Sequence, residues 1–175
     1  LNGNEAKIFN AVHKTRTDLG YVVLTKGQLV ATDGSILISL SVDYDGPDAY
    51  FNKPEIMPTK TGELCIRILT PEDVFPVRCE VEVKRTQSSS PVTLRDCHDP
   101  HPIGKFPDVK ALYAGLKNRA VTEIGLNFKL LSKLIDVLGP NVRLEFNGDF
   151  GPVEVWPGKE LRPRYPSLIM PMRLD

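Results

Sequence analysis

Tyr21-Val22-Val23-Leu24-Thr25-Lys26-Gly27-Gln28-Leu29-Val30-Ala31-Thr32-Asp33-Gly34-Ser35-Ile36-Leu37-Ile38-Ser39-Leu40-Ser41-Val42 is the stretch on which the fold turns. Its apolar runs, Tyr21–Thr25, Gln28–Thr32 and Ile36–Val42, are joined by Lys26-Gly27 and Asp33-Gly34. Glycine accepts the positive φ that two-residue hairpin connections need, and Asp-Gly is a strong hairpin signal. The stretch therefore predicts an antiparallel meander. Ahead of it, Glu5 to Thr17 predicts a helix with Asn4 as its cap and Glu5 at the positive end of the dipole. Ile8, Phe9, Val12 and Thr15 would line its inner face, with Lys7, Asn10, Lys14 and Thr17 outside.

The same order returns near the C-terminus. Thr122–Leu126 predicts a strand, and Asn127 caps a helix Phe128–Leu138 that stops at Gly139-Pro140. Leu130, Leu131, Leu134 and Leu138 form its apolar stripe, with Phe128 and Ile135 at the margin and Lys129, Lys133 and Asp136 on the opposite side. Asn141–Phe146, Pro152–Trp156 and Ser167–Met170 supply a second meander. The fold class is accordingly α+β: antiparallel sheets with two helices packed on one side, built from a duplicated helix-meander unit. Residues 1–118 form the first half and include a strand-rich insertion from about 45 to 118; residues 119–175 form the second half.

In the insertion, Val77, Cys79, Val81 and Val83 alternate with Arg78, Glu80, Glu82 and Lys84, the pattern of a strand with one wet face. Glu63–Leu69 and Val92–Arg95 read as its neighbours, and residues 86–91 as a loop. Cys97-His98-Asp99-Pro100-His101 gathers a thiol, imidazoles and a carboxylate in an irregular segment. Its spacing is poor and no second Cys/His cluster completes a coordination shell, so neither a metal nor another cofactor is expected. Trp156 reads as packing rather than a base-stacking platform, and no nucleotide-binding loop or nucleophile elbow marks an enzyme.

With 175 residues, 41% of them apolar, the chain can bury roughly 70% of its unfolded surface and support a substantial core. Basic and acidic residues cancel at 22 each, so nucleic-acid contact would need local clustering rather than a global field. No run has the length of a membrane span, and Leu1-Asn2-Gly3-Asn4 lacks the features of a signal peptide; residues preceding Leu1 are expected, since no methionine opens the chain. Three widely spaced cysteines, Cys65, Cys79 and Cys97, fit a reducing compartment, and the expected location is cytoplasmic.

The tail Ser167-Leu168-Ile169-Met170-Pro171-Met172-Arg173-Leu174 can extend as a strand until Pro171, which has no N–H for a ladder. On residue chemistry alone it is a last core strand before it is anything else; its soft methionines beside a rigid proline also suit a peptide-accepting surface at a sheet edge.

Together and in their order along the chain, Ala31-Thr32-Asp33-Gly34, Gly104-Lys105-Phe106-Pro107-Asp108, Glu123-Ile124-Gly125-Leu126-Asn127 leading into a leucine-rich helix, and the tail Met170-Pro171-Met172-Arg173-Leu174 resemble the bacterial DNA polymerase III β sliding clamp, the processivity factor of the replicative polymerase. The resemblance implies a DNA-clamp-like fold with no catalytic role. It also implies a groove for clamp-binding peptides of polymerase, loader or repair proteins, with Thr32, Gly34, Leu37, Pro107, Leu112, Met170, Pro171, Met172 and Arg173 as its candidates. It places helices against double-stranded DNA without reading sequence, which nominates Lys7, Lys14, Lys129 and Lys133 as DNA-facing.

This chain departs from the family at Ser35-Ile36-Leu37, where the family has His-Arg-Leu, and at Val109-Lys110-Ala111-Leu112, which lacks the usual arginines. It is also shorter than a three-domain clamp subunit. A shortened clamp would close a ring only as a homo-oligomer joined head to tail. The alternative keeps the groove without the ring: a clamp-like peptide-binding module that competes for or redirects clamp partners.

Overall fold

The computed structural model describes residues 1–25, 27–46, 48–69, 78–95, 106–116, 120–121, 123–158 and 165–172. The opening stretch folds as the meander its pattern demands: β1 (Val22–Thr25), β2 (Gln28–Thr32) and β3 (Ile36–Ser41), all antiparallel. The second meander comprises β8 (Val142–Glu145), β9 (Val153–Pro157) and β10 (Ser167–Ile169). A short β4 (Ala49–Phe51), unmarked by any sequence pattern, pairs with β1. The two meanders join through β3 and β10, Leu37 opposite Leu168 and Ile36 opposite Ile169, giving a seven-stranded antiparallel sheet in the order β4-β1-β2-β3-β10-β9-β8.

Alternation along these strands divides the sheet into two faces. Val22, Leu24, Leu29, Ala31, Ile36, Ile38, Val153, Val155 and Ile169 pack into the main core. Val30, Leu37 and Leu168 point the other way, into a smaller cluster. Leu134 and Val137 of the helix α2 (Phe128–Leu138) and Ala6, Ile8 and Phe9 from the N-terminal segment close the main core. Each fully buried Leu or Phe side chain contributes roughly 1.5–3 kcal/mol.

α2 has the bounds its sequence predicts: Asn127 Oδ1 accepts from the Lys129 amide at 3.0 Å, and Gly139 ends the helix at φ 96°, a conformation open to glycine but costly for other residues. Phe128, placed at the margin of the apolar stripe, is 81% exposed.

The N-terminal helix is a correction. Only Glu5–Asn10 is helical, and it is 3₁₀; Thr17–Leu19 forms a second short 3₁₀ turn. Asn4 makes no side-chain cap. Asn2 does so instead, its Oδ1 accepting the Asn4 and Glu5 amides at 2.9 and 3.0 Å. Beyond Ala11 the chain bends because His13 Nδ1 accepts the amides of Thr15 and Arg16, at 3.2 and 3.1 Å. Those residues lie in a stretch whose β-branched threonines favour helix weakly, so the local turn wins.

A second correction concerns 122–126. Residue 122 lies outside the described residues, and 123–126 form no strand; Gly125 alone makes a bridge, to Met172.

The insertion forms a separate antiparallel sheet of β5 (Glu63–Leu69), β6 (Arg78–Lys84) and β7 (Val92–Arg95), with β6 central. Leu64, Val81 and Val83 bury into the main core, while Glu82 and Lys84 on the alternate positions are half-buried. Leu1 brackets β5, its backbone nitrogen donating to the Leu64 carbonyl and its carbonyl accepting the Leu64 amide. A final short helix, α1 (Val109–Ala114), is capped by Asp108, whose carboxylate accepts the Ala111 amide at 3.1 Å. Val109 and Tyr113 cover the second face of the sheet, so helical structure flanks both faces and not one alone.

Candidate functional site

The β2–β3 hairpin is built by its own side chains. Thr32 Oγ1 donates to the Ile36 carbonyl at 2.6 Å and accepts the Gly34 amide at 3.1 Å. Asp33 Oδ1 accepts the Ser35 and Ile36 amides at 3.0 and 3.1 Å, and its Oδ2 accepts from Lys133 Nζ at 3.0 Å, tying the hairpin to α2. Partial burial opposes ionisation of Asp33, but the Ser35 amide, Lys133 and the Ile36 amide outweigh it and hold the carboxyl below its ordinary range. Gly34 has φ 91°, and a Cβ added there would meet Leu19 Cδ1 at 3.6 Å and Arg16 Nη1 at 3.9 Å. Arg16 and Leu19 therefore flank the hairpin, a placement with no local signal in the sequence.

The β3–β10 pairing carries the tail to this hairpin. The Met170 amide donates to the Ser35 carbonyl at 2.9 Å. The ladder ends there because Pro171 has nothing to donate, yet the chain does not come loose at a free edge: β10 is internal to the sheet, and the Met172 amide donates to the Gly125 carbonyl at 2.8 Å. Met170 and Met172 remain 44% and 48% exposed, and Leu112 on α1 is 44% exposed. Thr32 and Leu37 are buried, Leu37 beneath the cluster that Phe106, Val109, Tyr113 and Leu116 cover.

Of the groove candidates, Thr32, Gly34, Leu37, Met170 and Pro171 thus gather where β2, β3 and β10 meet, and α1 with Leu112 packs over the same face. Pro107 is half-buried and lines a neighbouring cavity. Arg173 lies outside the described residues, as do Leu174 and the Cys97–His101 cluster.

The lysine candidates divide. Lys133 is paired with Asp33, and Lys7 reaches Asp136 at 3.5 Å on the exposed surface. Lys14 and Lys129 are exposed. Lys14 and Lys133 share a recess of about 610 Å³ with His13 and Lys53, the latter donating to Asn10 Oδ1 at 2.7 Å; Asp33 is the carboxylate on its wall. Trp156 is half-buried on β9 with the Arg143 guanidinium 5.7 Å from its ring centroid. Among the described residues no cluster of His, Cys, Asp and Glu is placed to hold a metal ion, and no helix is long and apolar enough to cross a membrane.

The fold defines an α+β protein of mostly antiparallel sheets whose two meanders meet, through β3 and β10, at an apolar, methionine-bearing corner. No protein-family model matches the chain, and comparison with curated proteins finds no match either.

Proposed function

We propose that this protein is a sliding-clamp-like processivity factor that tethers replication or repair proteins to DNA through a peptide-binding groove. One observation carries the reading. The hairpin Thr32-Asp33-Gly34 and the tail Met170-Pro171-Met172, far apart in sequence and linked only through the resemblance, are neighbours along the β3–β10 ladder. The exposed Leu112, Met170 and Met172 give this corner the adaptable apolar character that suits peptide recognition. The clamp-like duplication of the fold belongs to the same proposal, and so do the absence of a catalytic role and a cytoplasmic location.

The recess shared by His13, Lys14, Lys53 and Lys133 supports phosphate contact. The ion pairs at Lys7 and Lys133 reduce the free charge available, and this favours a second reading in which the groove acts without DNA encirclement, in a stand-alone module that redirects clamp partners.

Solution mass with and without DNA, together with retention on circular DNA, separates the two. A processivity factor forms a homo-oligomer retained on closed circles and lost on linearisation; a strict monomer with no retention leaves only the module. DNA affinity should fall as salt rises, and Lys14→Ala with Lys53→Ala should flatten that dependence by about one counterion per lost contact.

A further inference from the structure

A cavity of about 380 Å³ opens on the second face of the sheet, on the β1, β2 and β4 side of α1, and among the described residues of the proposed groove Pro107 alone is on its lining. Its floor includes Val23, Gln28, Val30 and Tyr50, and its far wall Phe106, Tyr113 and Tyr165. The volume falls in the range of small-molecule sites.

Three features define what it would take. The first is aromatic: Tyr113 and Tyr165 stack with centroids 4.7 Å apart and planes 16° from parallel, while Tyr50 is held edge-on by Tyr21 at 6.4 Å and 83°. Such walls suit a flat ring. The second is a buried donor. Gln28 is 5% exposed, and among the described residues its Nε2 has no hydrogen-bond partner, a costly state for an interior amide. Tyr113 across the cavity is not its partner: its hydroxyl donates to the Pro166 carbonyl at 2.8 Å, and burial raises its pKa far above the usual phenol range, so the phenol stays neutral. The third is charge at the mouth. Among the described residues, Asp48 and Asp108 stand against the ammonium of Lys110, a balance that disfavours an anion.

We infer that this cavity binds an uncharged planar heteroaromatic ring bearing a carbonyl oxygen, of the nucleobase or nicotinamide kind, with the oxygen accepting from Gln28 Nε2. The inference stands apart from the proposed function, and neither depends on the other.

The test is titration of the full chain with uridine and with nicotinamide, followed by NMR of side-chain amides and by calorimetry. Benzyl alcohol serves as an aromatic control without a carbonyl, and uridine monophosphate as an anionic one. Saturable binding of uridine or nicotinamide, with the Gln28 amide shifting, is expected, and the tighter probe identifies the ring type. Both controls should bind at least tenfold more weakly.

Gln28→Leu should weaken binding about tenfold or more without lowering the melting temperature, since it removes an unsatisfied group while keeping the side chain's volume. Tyr50→Ala, at a half-buried position on an edge strand, is the second variant and should also weaken binding. Absence of saturable binding by both probes, or affinity unchanged in both variants, would overturn the inference.

Discussion

Asp33 concentrates several of the fold's demands in one carboxylate: it shapes the hairpin through two backbone amides and reaches α2 through Lys133. Because its folded pKa is depressed, the stability it contributes is present above the unfolded carboxyl range and is lost as pH falls through the folded value. Acid titration of the wild type should therefore show a loss of stability below about pH 4 that is smaller in Asp33→Asn. At neutral pH, Asp33→Ala should cost about 1–3 kcal/mol by chemical denaturation, as expected for hydrogen bonds to a charged, half-buried group. The adjacent Gly34 has room for a methyl group but not the backbone for one, so Gly34→Ala should cost about 1–2 kcal/mol through conformation alone.

Elements were legible where the cause was local. β2, β5, β7 and α2 fall on the residues their patterns specify, since alternation, Asn127 and Gly139 act within a few residues of one another. The 3₁₀ start was not legible, because the competing turn depends on His13 Nδ1 rather than on periodicity. β4 is too short for a pattern, and α1 is one and a half turns long, although Asp108 was an available N-cap signal. Of the site, the hairpin's own turn was readable from Thr32-Asp33-Gly34, while Arg16 and Leu19 beside it were not. At this scale α2 offers a sharp contrast. Leu134→Ala, in the sealed core, should destabilise by about 2–5 kcal/mol in urea unfolding, whereas Phe128→Ser, at the solvent-facing first turn, should stay within about 0.5 kcal/mol.

The molecule as a whole is decided by one long-range pairing. β3 and β10 turn separate meanders into a single sheet and bring the hairpin to the tail, and nothing in either strand's local pattern names the other as its partner. Only the resemblance linked the two segments. The central claim is that their junction receives a peptide, and fluorescence anisotropy of a labelled clamp-binding peptide tests it most directly. The wild-type chain should bind saturably, and Leu112→Ser combined with Met172→Ser should weaken binding at least tenfold while the melting temperature stays within a few degrees, because both side chains are exposed and neither belongs to a core cluster. No binding by the wild type, or equal binding by the double variant, would contradict the account.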